Sequence, residues 1–116
     1  MTINLNQEEF KEKVFDYATG EAKYSGDKPA LIDFWADWCQ PCRMVAPILE
    51  KLSEEFKDDI YIYKVNVDEN EELSTAFAIQ SIPSLLFVPK DGQLQMALGV
   101  HPEDKLRDAI KEVLLK

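Results

Sequence analysis

One segment constrains the fold of this chain more than any other. Pro29-Ala30-Leu31-Ile32-Asp33-Phe34-Trp35-Ala36 is almost continuously apolar, the pattern of a strand buried on both faces. It runs into Trp38-Cys39-Gln40-Pro41-Cys42. Beyond the cysteines, Val45, Ile48, Leu49, Leu52 and Phe56 keep to one side of a helix. Pro47 should kink that helix, because proline has no amide hydrogen and crowds the preceding turn.

The flanks extend this unit. Residues 2–5 alternate and suit an edge strand. Asn6 followed by Glu9 is a capping box, and Phe10, Val14, Tyr17 and Ala18 then recur at helical spacing, so a helix is expected over 7–18. Residues 60–67 are β-branched and aromatic, a second buried strand. A short helix is expected over 71–77, a strand over 84–88, a hairpin turn at Asp91-Gly92 and its partner strand over 94–98. Pro102 suits a helix start, and Leu106, Ile110, Val113 and Leu114 line the inner face of that last helix. The early alternation implies parallel strands with crossover helices. The terminal hairpin adds an antiparallel pair. The outcome is an α/β fold, a mixed sheet with helices on both faces.

A chain of 116 residues is expected to form one domain, large enough for a core of its own. Its net charge of −9 lacks the basic footprint that phosphate binding needs. Nucleic acids and anionic membrane surfaces are therefore poor partners. No apolar run reaches the length that spans a bilayer. No signal segment is visible at the start, so the expected location is the cytoplasm. An exported protein read from its mature start is the alternative. Residues 19–29 read as a loose connection.

The two cysteines, Cys39 and Cys42, sit where a strand gives way to a helix. A helix N-terminus favours the thiolate, the reactive form of cysteine. Two intervening residues leave the sulfurs within reach of each other, so the pair can cycle between dithiol and disulfide. Structural zinc usually takes four Cys or His ligands, and here only the distant His101 could join. Haem attachment needs a histidine directly after the second cysteine, where Arg43 stands. An inert disulfide would close a tiny loop and stabilise little. Asp33 interrupts the apolar strand. It is either a buried carboxyl with a raised pKa or a strand aspartate pointing to solvent, and the residues alone do not choose. Lys64 on its own reads as a surface lysine.

Residues 31–47, Lys64-Val-Asn-Val-Asp68, Ile82-Pro83-Ser84-Leu85-Leu86-Phe87, Gly92 and Gly99 together resemble the thioredoxin family, in the right order and over nearly the whole chain. The resemblance implies a central mixed five-stranded sheet flanked by four helices on both faces. It implies a thiol–disulfide oxidoreductase that reduces disulfides of partner proteins. Cys39 matches the exposed nucleophile, Cys42 the buried resolving thiol and Asp33 the aspartate that helps deprotonate it. Lys64 matches a lysine that modulates Asp33, and Pro83 the cis-proline facing the sulfurs. Trp38, Gln40, Pro41, Ile82 and Gly99 fall where the family meets its substrate. No bound cofactor or metal is implied, because the cysteines are the redox group. Electrons would come from a thioredoxin reductase or a membrane thiol-transfer partner, and the protein would be a monomer.

Two positions depart from the family pattern. Gln40 stands where glycine is typical, and Ser84 follows the cis-proline in place of threonine. The competing readings are an exported disulfide oxidase or isomerase, and a non-enzymatic docking module of the same fold.

Overall fold

A computed structural model describes residues 1–19 and 23–116. The five strands are β1 (Ile3–Asn4), β2 (Ala30–Trp35), β3 (Tyr61–Asn66), β4 (Ser84–Val88) and β5 (Gln95–Leu98). They form one sheet in the order β1-β3-β2-β4-β5. The pairs β1–β3 and β2–β3 are parallel, while β2–β4 and β4–β5 are antiparallel. The four α-helices among the described residues are α1 (Gln7–Lys13), α2 (Gln40–Glu55), α3 (Glu71–Ala76) and α4 (Glu103–Ala109). The expected mixed sheet is therefore present, with its two edges at β1 and β5.

The period of two in β2 divides the core. Ala30, Ile32 and Phe34 point to one face and pack with Phe10 and Val14 of the first helical segment and Leu73 of α3. Leu31 points to the other face and packs with Val45, Leu49 and Leu52 of α2 and with Leu106 and Ile110 at the C-terminal end. Both faces of β2 are thus covered, which explains its nearly unbroken apolar run. Each fully buried Leu or Ile contributes about 1.5–3 kcal/mol relative to exposure.

The expected helix over 7–18 is shorter. Its capping box forms as read, with the Asn6 side chain accepting from the Glu9 amide and Glu9 accepting from the Asn6 amide. The helix ends at Lys13, and Tyr17–Thr19 is a 3₁₀ turn. Phe15 is the cause. It lies off the stripe of residues 10, 14 and 17–18, yet it is 5 % exposed and packs edge-on against Phe10 at 5.3 Å. A continuing helix would hold that ring away from the core. The short hairpin at Asp91-Gly92 is instead a longer connection over 89–94, with Gly92 at φ +125°, a conformation glycine adopts freely. The last helix starts after Pro102 and closes in a π turn, Ile110–Leu114. Of the loose segment over 19–29, residues 20–22 lie outside the described residues.

Candidate active site

Strand β2 ends at Trp35, and α2 begins at Gln40 with Cys39 as its N-cap. The site is the seam between them. Cys39 and Cys42 form a disulfide with Cα atoms 5.3 Å apart. The Cys39 Sγ accepts the Cys42 amide hydrogen at 3.1 Å. That bond satisfies one of the unpaired amides that every helix N-terminus presents, and it favours negative charge on the Cys39 sulfur. The same sulfur lies 3.7 Å from the carbonyl oxygen of Ile82. Pro41 occupies the first turn of α2, and the helix continues through Pro47.

The resemblance implied an exposed Cys39. In this disulfide form both cysteines are only 3 % exposed. They pack with Ala36, and Val67 and Ile82 close over them. The bond to Cys42 and the contact with Ile82 turn the Cys39 sulfur inward. Its neighbours Trp38, Gln40 and Pro41 are the exposed part of the motif.

Asp33 resolves to the buried alternative, at 0 % exposure. Its strand parity puts it on the α2 face, in register with Lys64 of β3 and Leu85 of β4. Among the described residues neither carboxyl oxygen has a hydrogen-bond partner. Burial raises its pKa to about 7, and the Lys64 charge pulls in the opposite direction. Lys64 does not reach it as an ion pair. Its Nζ sits 4.5 Å from the centre of the Trp35 ring, a cation–π contact. Lys64 and Cys42 share the lining of a cavity of about 170 Å³ with Trp35 and Arg43. Arg43 is held there by a 2.7 Å hydrogen bond to the Asp37 carbonyl.

The residues that the resemblance sets against substrate converge on the same end of the sheet. The Ile82–Pro83 bond is cis. Gly99, at φ +82°, donates its amide to the Pro83 carbonyl at 2.8 Å, so the segment after β5 is stitched to the cis-proline. Ser84 points its hydroxyl to the Ser81 carbonyl, 2.6 Å away. Trp38 is 69 % exposed, and its indole N–H donates to Asp68 at 2.8 Å. His101 stays apart, with Nε2 3.0 Å from the Leu98 carbonyl.

Three contributors escape the sequence reading. Asp68 orients Trp38, Val67 covers the disulfide, and Asn70 is 4 % exposed. Asn70 bridges elements by accepting the Gln7 amide and donating to the Asn66 carbonyl. An indole N–H at an exposed tryptophan does call for an acceptor, but nothing local in the sequence names it. No group of three or more His, Cys, Asp or Glu side chains suited to a metal ion occurs among the described residues. No helix there is long and apolar enough to cross a membrane.

Comparison with known proteins agrees with this geometry. A family model described as Thioredoxin matches residues 1–112. A thioredoxin of Borreliella burgdorferi is 44 % identical over 113 residues, covering 97 % of each chain. Thioredoxin 1 of a Nostoc species is 35 % identical over 105 residues, covering 90 % of each. Among solved structures, chloroplastic thioredoxin z superposes with a TM-score of 0.82 at 26 % identity, over 97 % of this chain and 93 % of that one.

Proposed function

The chain belongs to the thioredoxin family and is a thiol–disulfide oxidoreductase, a protein-disulfide reductase; from that premise we propose how its residues divide the work. Cys39 is the attacking sulfur. As thiolate it displaces one sulfur of a partner's disulfide. The partner's S–S bond breaks, a mixed disulfide forms, and the displaced sulfur leaves and takes up a proton. Cys42 then loses its proton to Asp33 and attacks Cys39 Sγ. The partner leaves as a dithiol, and the Cys39–Cys42 disulfide remains. Two electrons have passed from this chain to the partner.

The observation that carries this reading is the disulfide at the N-cap of α2, together with a buried Asp33 on the α2 face of the neighbouring strand. Asp33 is in register with the Lys64 that lines a cavity with Cys42, and the Asp33 pKa of about 7 suits it to accept a proton near neutral pH. Cys39 is assigned the attack because exposed Trp38 and Gln40 flank it. Cys42 faces the cavity shared with Lys64. Lys64 tempers Asp33 through its charge. A partner segment lies along Trp38, Gln40 and Pro41 on one side and Ile82, cis-Pro83 and Gly99 on the other, held by backbone pairing in the manner of an added strand.

The whole chain acts as one domain and as a monomer, on proteins that carry disulfides. A reductase of the thioredoxin type regenerates the dithiol, and a reducing pair of this kind suits the cytoplasm. The test is trapping. Reduced Cys42→Ser is mixed with an oxidised protein substrate and analysed without reductant. A covalent adduct through Cys39 is expected, with none for Cys39→Ser. Adducts forming through Cys42 instead would reverse the order of attack.

A further inference from the structure

A second cleft adjoins the covered disulfide on the α3 side. It has a volume of about 470 Å³, and Val67, Glu71, Thr75, Ala78 and Ile79 are among its lining residues. Val67 is the hinge between the two places, since it also packs over Cys39 and Cys42. Its walls are mixed: Val67, Ala78 and Ile79 are apolar, while Ser74, Thr75 and Gln80 carry polar groups. The lining holds one charged side chain, Glu71, and no cation.

The acidic residues around it are not equivalent. Asp68 is engaged by Trp38. Glu72 is engaged by Tyr17 and Lys11. Glu71 is exposed and, among the described residues, has no hydrogen-bond or ion-pair partner in the structure. An unpartnered carboxylate in a cleft with both apolar and polar walls suits a long cationic side chain. A lysine or arginine lays its methylene stem on apolar walls and keeps its charge at the edge. An acidic side chain there meets the Glu71 carboxylate.

We propose that this cleft is a specificity subsite, which takes a cationic side chain flanking the cysteine of a partner's disulfide and thereby selects among substrates by charge. The proposal rests on the groove assigned above and extends it past Val67.

The experiment uses synthetic peptides linked as intermolecular disulfides, with lysine, norleucine or glutamate placed in turn at each position near the cysteine. Wild type, Glu71→Gln, Glu71→Lys and Asp58→Asn are compared by kcat/KM at low ionic strength. Asp58 is an exposed control at the opposite end of the sheet. Wild type is expected to favour the best lysine peptide over its glutamate counterpart by about fivefold, the scale of an exposed ion pair gained against a repulsion. Glu71→Gln is expected to bring that ratio near one, Glu71→Lys to invert it, and Asp58→Asn to leave it in place. A wild-type ratio near one overturns the proposal. So does a ratio unmoved by Glu71→Gln, or one reduced as much by Asp58→Asn, which would point to the overall charge. Failure of wild type to reduce the norleucine peptide would instead count against the groove itself.

Discussion

At the scale of single residues, Asp33 does the most with the least support. A carboxyl with no exposure and no hydrogen-bond partner among the described residues resists ionisation, because charge is poorly solvated there. Its folded-state pKa of about 7 stands above the ordinary 3.8. Between those values the folded chain holds a proton that the unfolded chain has released. Stability therefore falls as pH rises from about 4 to about 7, by on the order of 4 kcal/mol from this group. Asp33→Asn is expected to flatten that slope and to be the more stable protein at pH 8, as denaturant titrations across pH would report. The same variant is expected to slow turnover and to lose the inflection near pH 7 in its rate profile. A variant with unchanged turnover would remove Asp33 from the proton path. Trp38 and Asp68 supply a second prediction. Asp68→Ala removes the indole acceptor, so KM for a protein substrate should rise about two- to fivefold, in line with one modest hydrogen bond, with little change in kcat. Asp33 also marks a limit of sequence reading. Its place in an apolar strand was visible, whereas its burial depends on α2 covering that face.

At the scale of elements, what could be read was set by local chemistry, and what could not was set by packing. The capping box at Asn6 and Glu9 and the apolar stripe of α2 are local patterns. They formed where the residues put them. The end of α1 was not legible, because Phe15 leaves the helix to join Phe10 and Phe77, and Phe77 is 62 residues further on (77 − 15). The end of α3 is another case. The Ile79 amide bonds the Ser74 carbonyl, and the Ala78 amide bonds that of Thr75. This is a Schellman cap with Ala78 at its left-handed position, φ +51°. Glycine usually occupies that place, and alanine costs about 1 kcal/mol there. Ala78→Gly is therefore expected to stabilise the chain by about 0.5–1 kcal/mol in chemical denaturation. A loss of stability would mean that the cap is not formed in solution. In the core the expected sign is opposite. Leu49→Ala, a truncation at a fully buried position of α2, should cost about 2–5 kcal/mol.

At the scale of the whole molecule, the topology gathers the site at one end of the sheet. The chain leaves β2 into the cysteines, leaves β3 into Val67 and Asp68, and enters β4 through cis-Pro83. Gly99, after β5, joins by its bond to Pro83. Six positions from four connections thus face one seam; the resemblance linked Cys39, Cys42, Pro83 and Gly99 beforehand, but not Val67 or Asp68. The electrostatics of that seam bear on the direction of electron flow. Among the described residues the Cys39 sulfur takes one amide hydrogen bond, from Cys42, and it faces the Ile82 carbonyl, which an S–H can use as acceptor. A thiolate only modestly stabilised makes a pair that gives electrons readily, since strong oxidants owe their potential to a stabilised reduced form. The most direct measurement is the equilibrium potential of the Cys39/Cys42 pair in glutathione redox buffers. A value toward the reducing end is expected, near the ~−270 mV known for thioredoxin itself, which serves as a yardstick and is not deduced from this structure. A value near the ~−120 mV of a strong disulfide oxidant would contradict the account, because a pair poised there would take electrons from its partners.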